Sequence, residues 1–419
     1  MRKKNVFRHK NTCAIRRKPH SPGLFVPITN FCCISRDSLI CNMRALLFLS
    51  VFLLIALEFF LVYFIMPLPG SQRMNSLPLA YFLWQWRWAL RLLFALAAVF
   101  IAWRHPRARH WYALIFIAIF AAVAYAFNGP MSASGMFAPV KNKQMATATG
   151  NKVDSNLLVI GVSIGNEAAA YPIQYIAYHH RVQDTVGGKA VFVTYCSVCR
   201  TGRVYEPVVQ GKPATFRLVG MDHFNAMFED QTSGSWWRQA NGEAVTGPLK
   251  GEKLPEVFCQ QMRLGTWLRL HPHSRILQPD TNFNAEYAKL EPYDEGRMKG
   301  KLTRSDTASW KEKSWIAGIV WKGQARAYDW NYLKRKGCVN DTMGGVQIAL
   351  LLGVDGKSFS AWVVPETATL DNDSLRVGTR SYDLAGRSAD GTTGLQAIPV
   401  YQEFWHSWKT FQPNTLRRP

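Results

Sequence analysis

The chain has 419 residues, 48% of them hydrophobic, and 50 Lys and Arg against 28 Asp and Glu give a formal net charge of +22. Such an excess ordinarily points to nucleic acid or an anionic surface. Its distribution argues otherwise: residues 1–42 carry +8, residues 43–130 carry +6, and the remaining 289 residues carry only +8, with no basic stripe interleaved with stacking aromatics that would support a nucleic-acid partner.

Residues 1–42 read as a basic cytoplasmic extension, with nine Lys and Arg against one acid. Met43-Arg44, followed at once by an apolar run, resembles a natural start, so a misassigned initiator is expected there. Residues 43–130 predict three transmembrane helices. Ala45–Met66 is broken only by Glu58 and is long enough to cross a hydrocarbon core of roughly 30 Å at about 1.5 Å per residue. Trp88–Trp103, extendable back to Leu77, and Trp111–Phe127 are shorter, equally apolar and edged with tryptophan. A cleaved signal peptide is the other reading of Met43–Met66, but its core is longer than usual and no small-x-small site precedes Pro67. The basic extension and Arg104–His110 predict a cytoplasmic N-terminus in the cell inner membrane, with everything after about residue 130 on the periplasmic, extracytoplasmic side; Arg73, Arg87 and Arg91 argue weakly against. Residues 131–155, rich in small and polar side chains, predict a linker.

The rest of the chain is written twice. Gly161–Val193 and Gly318–Leu350 align without a gap at an offset of 157, with ten of 33 positions identical, among them Gly161/Gly318, Tyr171/Tyr328, Asp184/Asp341 and Gly187-Gly188/Gly344-Gly345. Trp267 and Pro272 recur as Trp408 and Pro413 at an offset of 141. The expected fold is therefore an N-terminal three-helix transmembrane region plus a mostly β (α+β) domain built from a tandem duplication, with repeats at 156–290 and 310–417. Each repeat should open with a hairpin, turning at Gly165-Asn166 and Lys322-Gly323, and continue into a short helix begun by Pro172 or capped by Asp329. Asp184–Gly188 should then form a turn before the strand Ala190–Tyr195. The strand after the glycines speaks against a phosphate cradle, and no nucleotide site is expected.

Tyr171-Pro172, His179 ahead of Gln183-Asp184, the run Val193–Cys199, Ser235-Trp236-Trp237, Gly242-Glu243-Ala244, Gly247-Pro248-Leu249 and His271-Pro272 together resemble the bacterial and archaeal domain-of-unknown-function family numbered 3179. The resemblance covers roughly residues 156–417 and implies an extracytoplasmic domain, with no activity attached to it. Two residues depart from the family pattern: Arg200, where members often have a small or polar residue, and Arg181, at a usually apolar position.

The chemistry rests on Cys196 and Cys199. Flanked by strand-like runs, the pair should cap a hairpin in the manner of a metal knuckle, unlike a thioredoxin-type pair at a helix start. Two thiolates need further ligands, and His179 is the first candidate because its counterpart is Lys336, so histidine occurs only in the copy that has the cysteines; His223 and His271 are weaker ones. Soft thiolates favour copper or zinc over magnesium or calcium. Three alternatives stay open: a metal site on Cys196, Cys199 and His179, a thiol–disulfide redox protein, and a scaffold or receptor in which the cysteines, paired with each other or with Cys259, only staple a turn. Cys338 reads as a plain buried thiol. Arg200 after Cys199 disfavours a c-type haem. Gly353 and Gly356 stand in the second copy where the first has cysteines, so the fold does not need them twice. A tryptophan-lined sugar cleft, an Asp230/Glu243 carboxylate pair and a surface site at His271 and His273, which follow an expected helix Cys259–Leu270, are weaker readings than core packing and a helix stop.

Overall fold

The computed structural model describes residues 36–104 and 111–419. Most of the basic extension, with Cys13, Cys32 and Cys33, and nearly all of the arginine-rich stretch 104–110 lie outside the described residues.

Three helices come first: α1 (Arg36–Tyr63), α2 (Leu77–Arg104) and α3 (Trp111–Asn128). Asn42–Tyr63 and Leu77–Arg104 are long and apolar enough to cross a membrane, whereas the third has a shorter apolar run, Leu114–Asn128. Two of the three expected spans thus have the length and composition of a membrane-crossing helix among the described residues. Glu58 of α1 is 1% exposed and accepts Arg91 Nε at 2.6 Å, Arg91 Nη2 at 2.7 Å and Asn128 Nδ2 at 2.7 Å, which pins α1 to α2 and α3. A carboxylate in apolar surroundings is costly unless its lone pairs are filled, and a bidentate guanidinium with an amide fills them.

The connector from α1 to α2 is not a free loop. Ile65 O accepts the Met221 N–H at 2.7 Å, and a Cβ on Gly220 would sit 2.3 Å from that carbonyl, so the close approach requires glycine. Tyr81 Oη donates to Gly234 O at 3.2 Å, Trp84 Nε1 donates to Glu229 Oε1 at 3.2 Å, and the Tyr81 ring meets Trp236 edge-on. Phe64, Ile65 and Met66 share one apolar core with Cys196, Cys199, Phe192, Trp236 and Trp237. The helices and the β region therefore pack as neighbours. Residues 131–155, expected as a linker, are woven into the same region: Met145-Ala146 pairs with Arg275–Leu277, and the Lys141 and Asn142 N–H groups both donate to Asp280.

The β region holds two stretches with one order of elements. In the first, strands run side by side as 260–263, 158–164, 167–172 and 275–277; in the second, as 400–404, 315–321, 324–329 and 416–418, and in each the last pairing is parallel and the others antiparallel. A short helix follows each opening hairpin, Ile173–His179 and Trp330–Lys336, the latter capped by Asp329 as its sequence predicts. Tyr171 Oη donates to Asp184 Oδ2 at 2.8 Å and Tyr328 Oη to Asp341 Oδ2 at 3.0 Å. The Trp267 ring covers Gly161 and the Trp408 ring covers Gly318 so closely that a Cβ would lie 2.3 and 2.2 Å from the indole carbons. Between the strands Thr201–Tyr205 and Gln260–Arg263, the first stretch inserts a four-stranded sheet over residues 216–246, the one that meets the helices.

Two local expectations need correction. Asp184 and Thr185 belong to the strand Arg181–Val186, and only Gly187 and Gly188, at φ 55° and 74°, make the turn; Asp184 is held by Tyr171 and Lys143 and is not free to shape a turn. The expected helix Cys259–Leu270 begins only at Leu264, because Gln260–Arg263 pairs with Leu158–Gly161.

Candidate functional site

The strands Lys189–Cys196 and Thr201–Tyr205 pair through Cys196 opposite Thr201, so Cys196 and Cys199 bracket the connecting turn, as the sequence predicts. Arg200 closes it at φ 56°, a left-handed conformation rare for a side chain of that size. The strain is held from outside. Tyr293 Oη donates to Ser197 O at 2.8 Å, Lys313 Nζ to Val198 O at 2.7 Å and the Phe404 N–H to Cys199 O at 2.8 Å. Arg200 itself is 1% exposed, donates to Gln402, Tyr293 O and Asp294 O, and lies over the Trp315 ring at 3.7 Å. Four of these clamps, Lys313, Trp315, Gln402 and Phe404, come from the second stretch.

Both sulfurs are fully buried, and all four described cysteines whose side chains are placed are free thiols. Phe224 O lies 3.6 Å from Cys196 Sγ and 3.3 Å from Cys199 Sγ, and Asn225 Nδ2 is 3.5 Å from Cys199 Sγ. The covering turn is tight: His223 and Phe224 are both left-handed, and the Phe224 N–H donates to Gln72 Oε1 at 3.0 Å in the connector between α1 and α2. The segment between α1 and α2 thus seats the residue above the thiols.

The two thiols are not equivalent. Burial opposes ionisation of Cys196, but the Cys199 S–H, the Ala226 and Cys199 N–H groups and the Lys313 ammonium outweigh it, and the thiol titrates below its usual range. Burial, reinforced by hydrogen bonding to Cys196 and by the Cys196 and Glu403 charges, pushes Cys199 well above it. Lys313 is brought down to about 8 by burial, against the pull of the two sulfurs. It donates to Val198 O and Leu302 O, and His406 Nε2 lies 3.0 Å from its nitrogen and 3.2 Å from Val198 O. Burial and the Lys313 charge lower His406 to about 3. Ser407 Oγ donates to Glu403 Oε1 at 2.5 Å, and Glu403, 1% exposed, faces Arg203 Nη2 at 3.4 Å.

His179 is not part of this cluster. Nδ1 lies 2.6 Å from Ala138 O and Nε2 2.6 Å from Tyr287 Oη, with the Phe283 and Tyr287 rings edge-on to it, so both nitrogens are engaged at the far end of the helix Ile173–His179. Among the described residues no three His, Cys, Asp or Glu side chains converge as metal ligands. The expected triad of Cys196, Cys199 and His179 is corrected to a pair of thiols. His223 is taken by Asp222 at 2.5 Å, and His271 stacks on Trp267 at 4.1 Å. Trp236 and Trp237 are core residues; Asp230 accepts from Trp237 Nε1, and Glu243 is held by Arg238 and Asn241, each in a structural role. Cys259 is raised to about 12 and Cys338 to about 11, both by burial, as befits plain thiols.

Lys313, Glu403, His406 and Ser407 escaped the sequence reading. Lys313 lies outside the aligned segments, but the other three sit just ahead of Trp408, inside the shorter-offset echo. There, 141 residues earlier, Glu403, His406 and Ser407 correspond to Met262, Gly265 and Thr266. A carboxylate opposite a methionine was the legible signal.

Neither the curated proteins nor the solved structures give a significant match to the chain. A family model described as "Protein of unknown function (DUF3179)" matches residues 134–415, well over half of the chain, and the protein belongs to that family.

Proposed function

We propose that the protein is a membrane-anchored thiol–disulfide protein in which Cys196 is the attacking thiolate and Cys199 the resolving thiol. The observation that carries this reading is the buried turn that sets Cys196 and Cys199 together under Phe224 O, with Lys313 fixed to Val198 O of the same turn and its charge favouring the Cys196 thiolate. The thiolate is the nucleophile of disulfide exchange, and a partner that keeps its proton until the mixed disulfide has formed is what a resolving thiol requires. A strand turn here supplies the donors that a helix N-terminus supplies in a thioredoxin-type pair.

Copper or zinc binding is the second reading, supported by two adjacent soft thiols. With His179 engaged elsewhere, it narrows to a copper(I) ion held by two sulfurs.

Three spans, an N-terminus in the cytoplasm and a β region on the extracytoplasmic face of the inner membrane complete the proposal. The α1–α2 connector and the end of α3 both meet the β region, so that region lies opposite the basic extension whichever way α3 is counted. The shared strand order, with Trp267 over Gly161 and Trp408 over Gly318, supports origin by duplication.

The test is trapping on the full-length protein. With a small disulfide, Cys199→Ser should accumulate a stable mixed disulfide on Cys196, and Cys196→Ser should form none on Cys199. An adduct first on Cys199, or near-stoichiometric copper that both variants lose from protein purified without added metal, would overturn the redox reading.

A further inference from the structure

The resolving step poses a problem that the attacking step does not. Cys199 is fully buried, and its S–H donates to Phe224 O at 3.3 Å, the carbonyl that Cys196 also faces at 3.6 Å. A carbonyl oxygen accepts a thiol proton but opposes a thiolate, so charge that gathers on Cys199 as it attacks needs a donor from another direction.

The strand Asn225–Asp230 brings one with its first residue. Asn225 Nδ2 lies 3.5 Å from Cys199 Sγ and 3.0 Å from Gln239 Oε1, and both amides are buried. Their partners fix which end of each faces where. The Ala240 N–H can only donate, and it meets Asn225 Oδ1 at 2.9 Å. At the far end of the chain Thr201 O can only accept, and it takes Gln239 Nε2 at 3.1 Å. The Thr194 hydroxyl, whose own proton goes to Arg203 O, accepts from the same Nε2 at 3.2 Å. Gln239 must therefore turn Oε1 toward Asn225, and Asn225 must turn Nδ2 toward that oxygen and the sulfur. One Nδ2 proton goes to Gln239, which leaves the other for Cys199. Reversing either amide would set donor against donor or acceptor against acceptor in a closed interior, where an unmade hydrogen bond is costly.

We propose that Asn225 is a catalytic residue of the resolving step, donating a hydrogen bond to the negative charge that develops on the Cys199 sulfur. The proposal rests on the dithiol reading above. Cys196 thiolate first attacks a substrate disulfide, forming a mixed disulfide and expelling one substrate thiolate. Cys199 Sγ then attacks Cys196 Sγ, the bond from Cys196 Sγ to the second substrate sulfur breaks, and the Cys199 proton passes to that departing sulfur, which leaves as a thiol. Two electrons have moved from the dithiol to the substrate disulfide, and Asn225 has given up no proton. A hydrogen bond to an ionised acceptor is about twice as strong as one between neutral groups, so the Asn225 bond strengthens as charge builds. The amide is already aimed, so it need not reorganise when the reaction occurs. Asn225 touches the reacting sulfur; Gln239 touches neither and is a positioning residue. Cys196, Glu403 and Lys313 bring charge near Cys199, and changes at Asn225 leave all three in place.

Dithiodipyridine, a small chromogenic disulfide, separates the two steps in the full-length protein, because attack by Cys196 releases one coloured thiol and attack by Cys199 a second, and peptide mass spectrometry assigns each. Asn225→Ala and Asn225→Asp should leave the first release within about twofold of wild type. They should slow the second, by about tenfold for alanine and by more for aspartate, which keeps the shape and the Ala240 bond but turns an oxygen to the sulfur. In a Cys196→Ser background both should also move the alkylation pH profile of Cys199 upward, whereas a loosened fold would admit water and move it down. A second release that keeps its rate, or a profile that stays or moves down, in either folded variant would overturn the role of Asn225 and leave the dithiol reading intact. Absence of the first release in the wild-type protein, or its persistence in Cys196→Ser, would instead remove the reading on which that role rests.

Discussion

Lys313 Nζ donates to Val198 O at 2.7 Å, so a lysine of the second stretch closes on the turn that carries both cysteines of the first. Its charge also favours the Cys196 thiolate. A unit charge several ångströms away at an effective dielectric of about 20 is worth on the order of 2 kcal/mol. Lys313→Met should therefore slow alkylation of Cys196 at neutral pH about tenfold and move its pH profile upward, as peptide mass spectrometry after timed alkylation would show. An unchanged profile would mean that the backbone donors suffice.

Phe224 should govern access to the thiols, since its carbonyl faces both sulfurs and its N–H is tied to Gln72. Phe224→Ala is expected to raise the alkylation rate of both cysteines at least fivefold, and Gln72→Ala to raise it less. Equal rates in all three proteins would show that entry is by another route.

The paired tryptophans predict a matched cost. A Cβ at Gly161 or Gly318 would overlap an indole ring, and overpacking of this kind costs about 1–3 kcal/mol or more. Gly161→Ala and Gly318→Ala should each lower the unfolding free energy by that amount in denaturant titration, and a neutral substitution at either site would refute the close packing described for that half.

Acid should destabilise the β region. His180 and His406 are buried and neutral, lowered to about 4 and about 3 chiefly by burial. Between those values and about 6.5 the unfolded chain binds protons that the folded one does not, so stability is complete above about 6.5 and is lost as pH falls. The two together should cost roughly 4 kcal/mol between pH 7 and pH 5. Glu403 and Asp294, whose carboxyls burial raises, oppose the trend by taking up protons in the folded state. Urea unfolding at the two pH values checks the sign, and a protein more stable at pH 5 would contradict it.

The hairpins, the short helices and the cysteine-bearing turn were legible because each is written locally: Gly165 and Gly187-Gly188 take left-handed conformations, and Asp329 caps its own helix. What escaped was set by tertiary packing. Arg263 ends a strand and not a helical turn because its segment pairs with Leu158–Gly161, 99 or more residues away. His179 matched the cysteines in copy number but faces Tyr287, since the helix that carries it packs on residues 284–289. Which of two aligned stretches carries a residue does not say where its side chain points. A like asymmetry does mark Glu403, opposite Met262, once the shorter offset around Trp408 is followed residue by residue.

The central claim is that Cys196 and Cys199 form a reversible two-electron couple. Equilibrating the full-length protein in detergent across glutathione buffers of defined potential, and counting free thiols by mass after acid quench and alkylation, tests it most directly. The account predicts a single two-electron transition, between about −300 and −120 mV, that joins Cys196 to Cys199 and disappears in either serine variant. Two thiols that remain free across the whole range, or a bridge that never reopens, would contradict it.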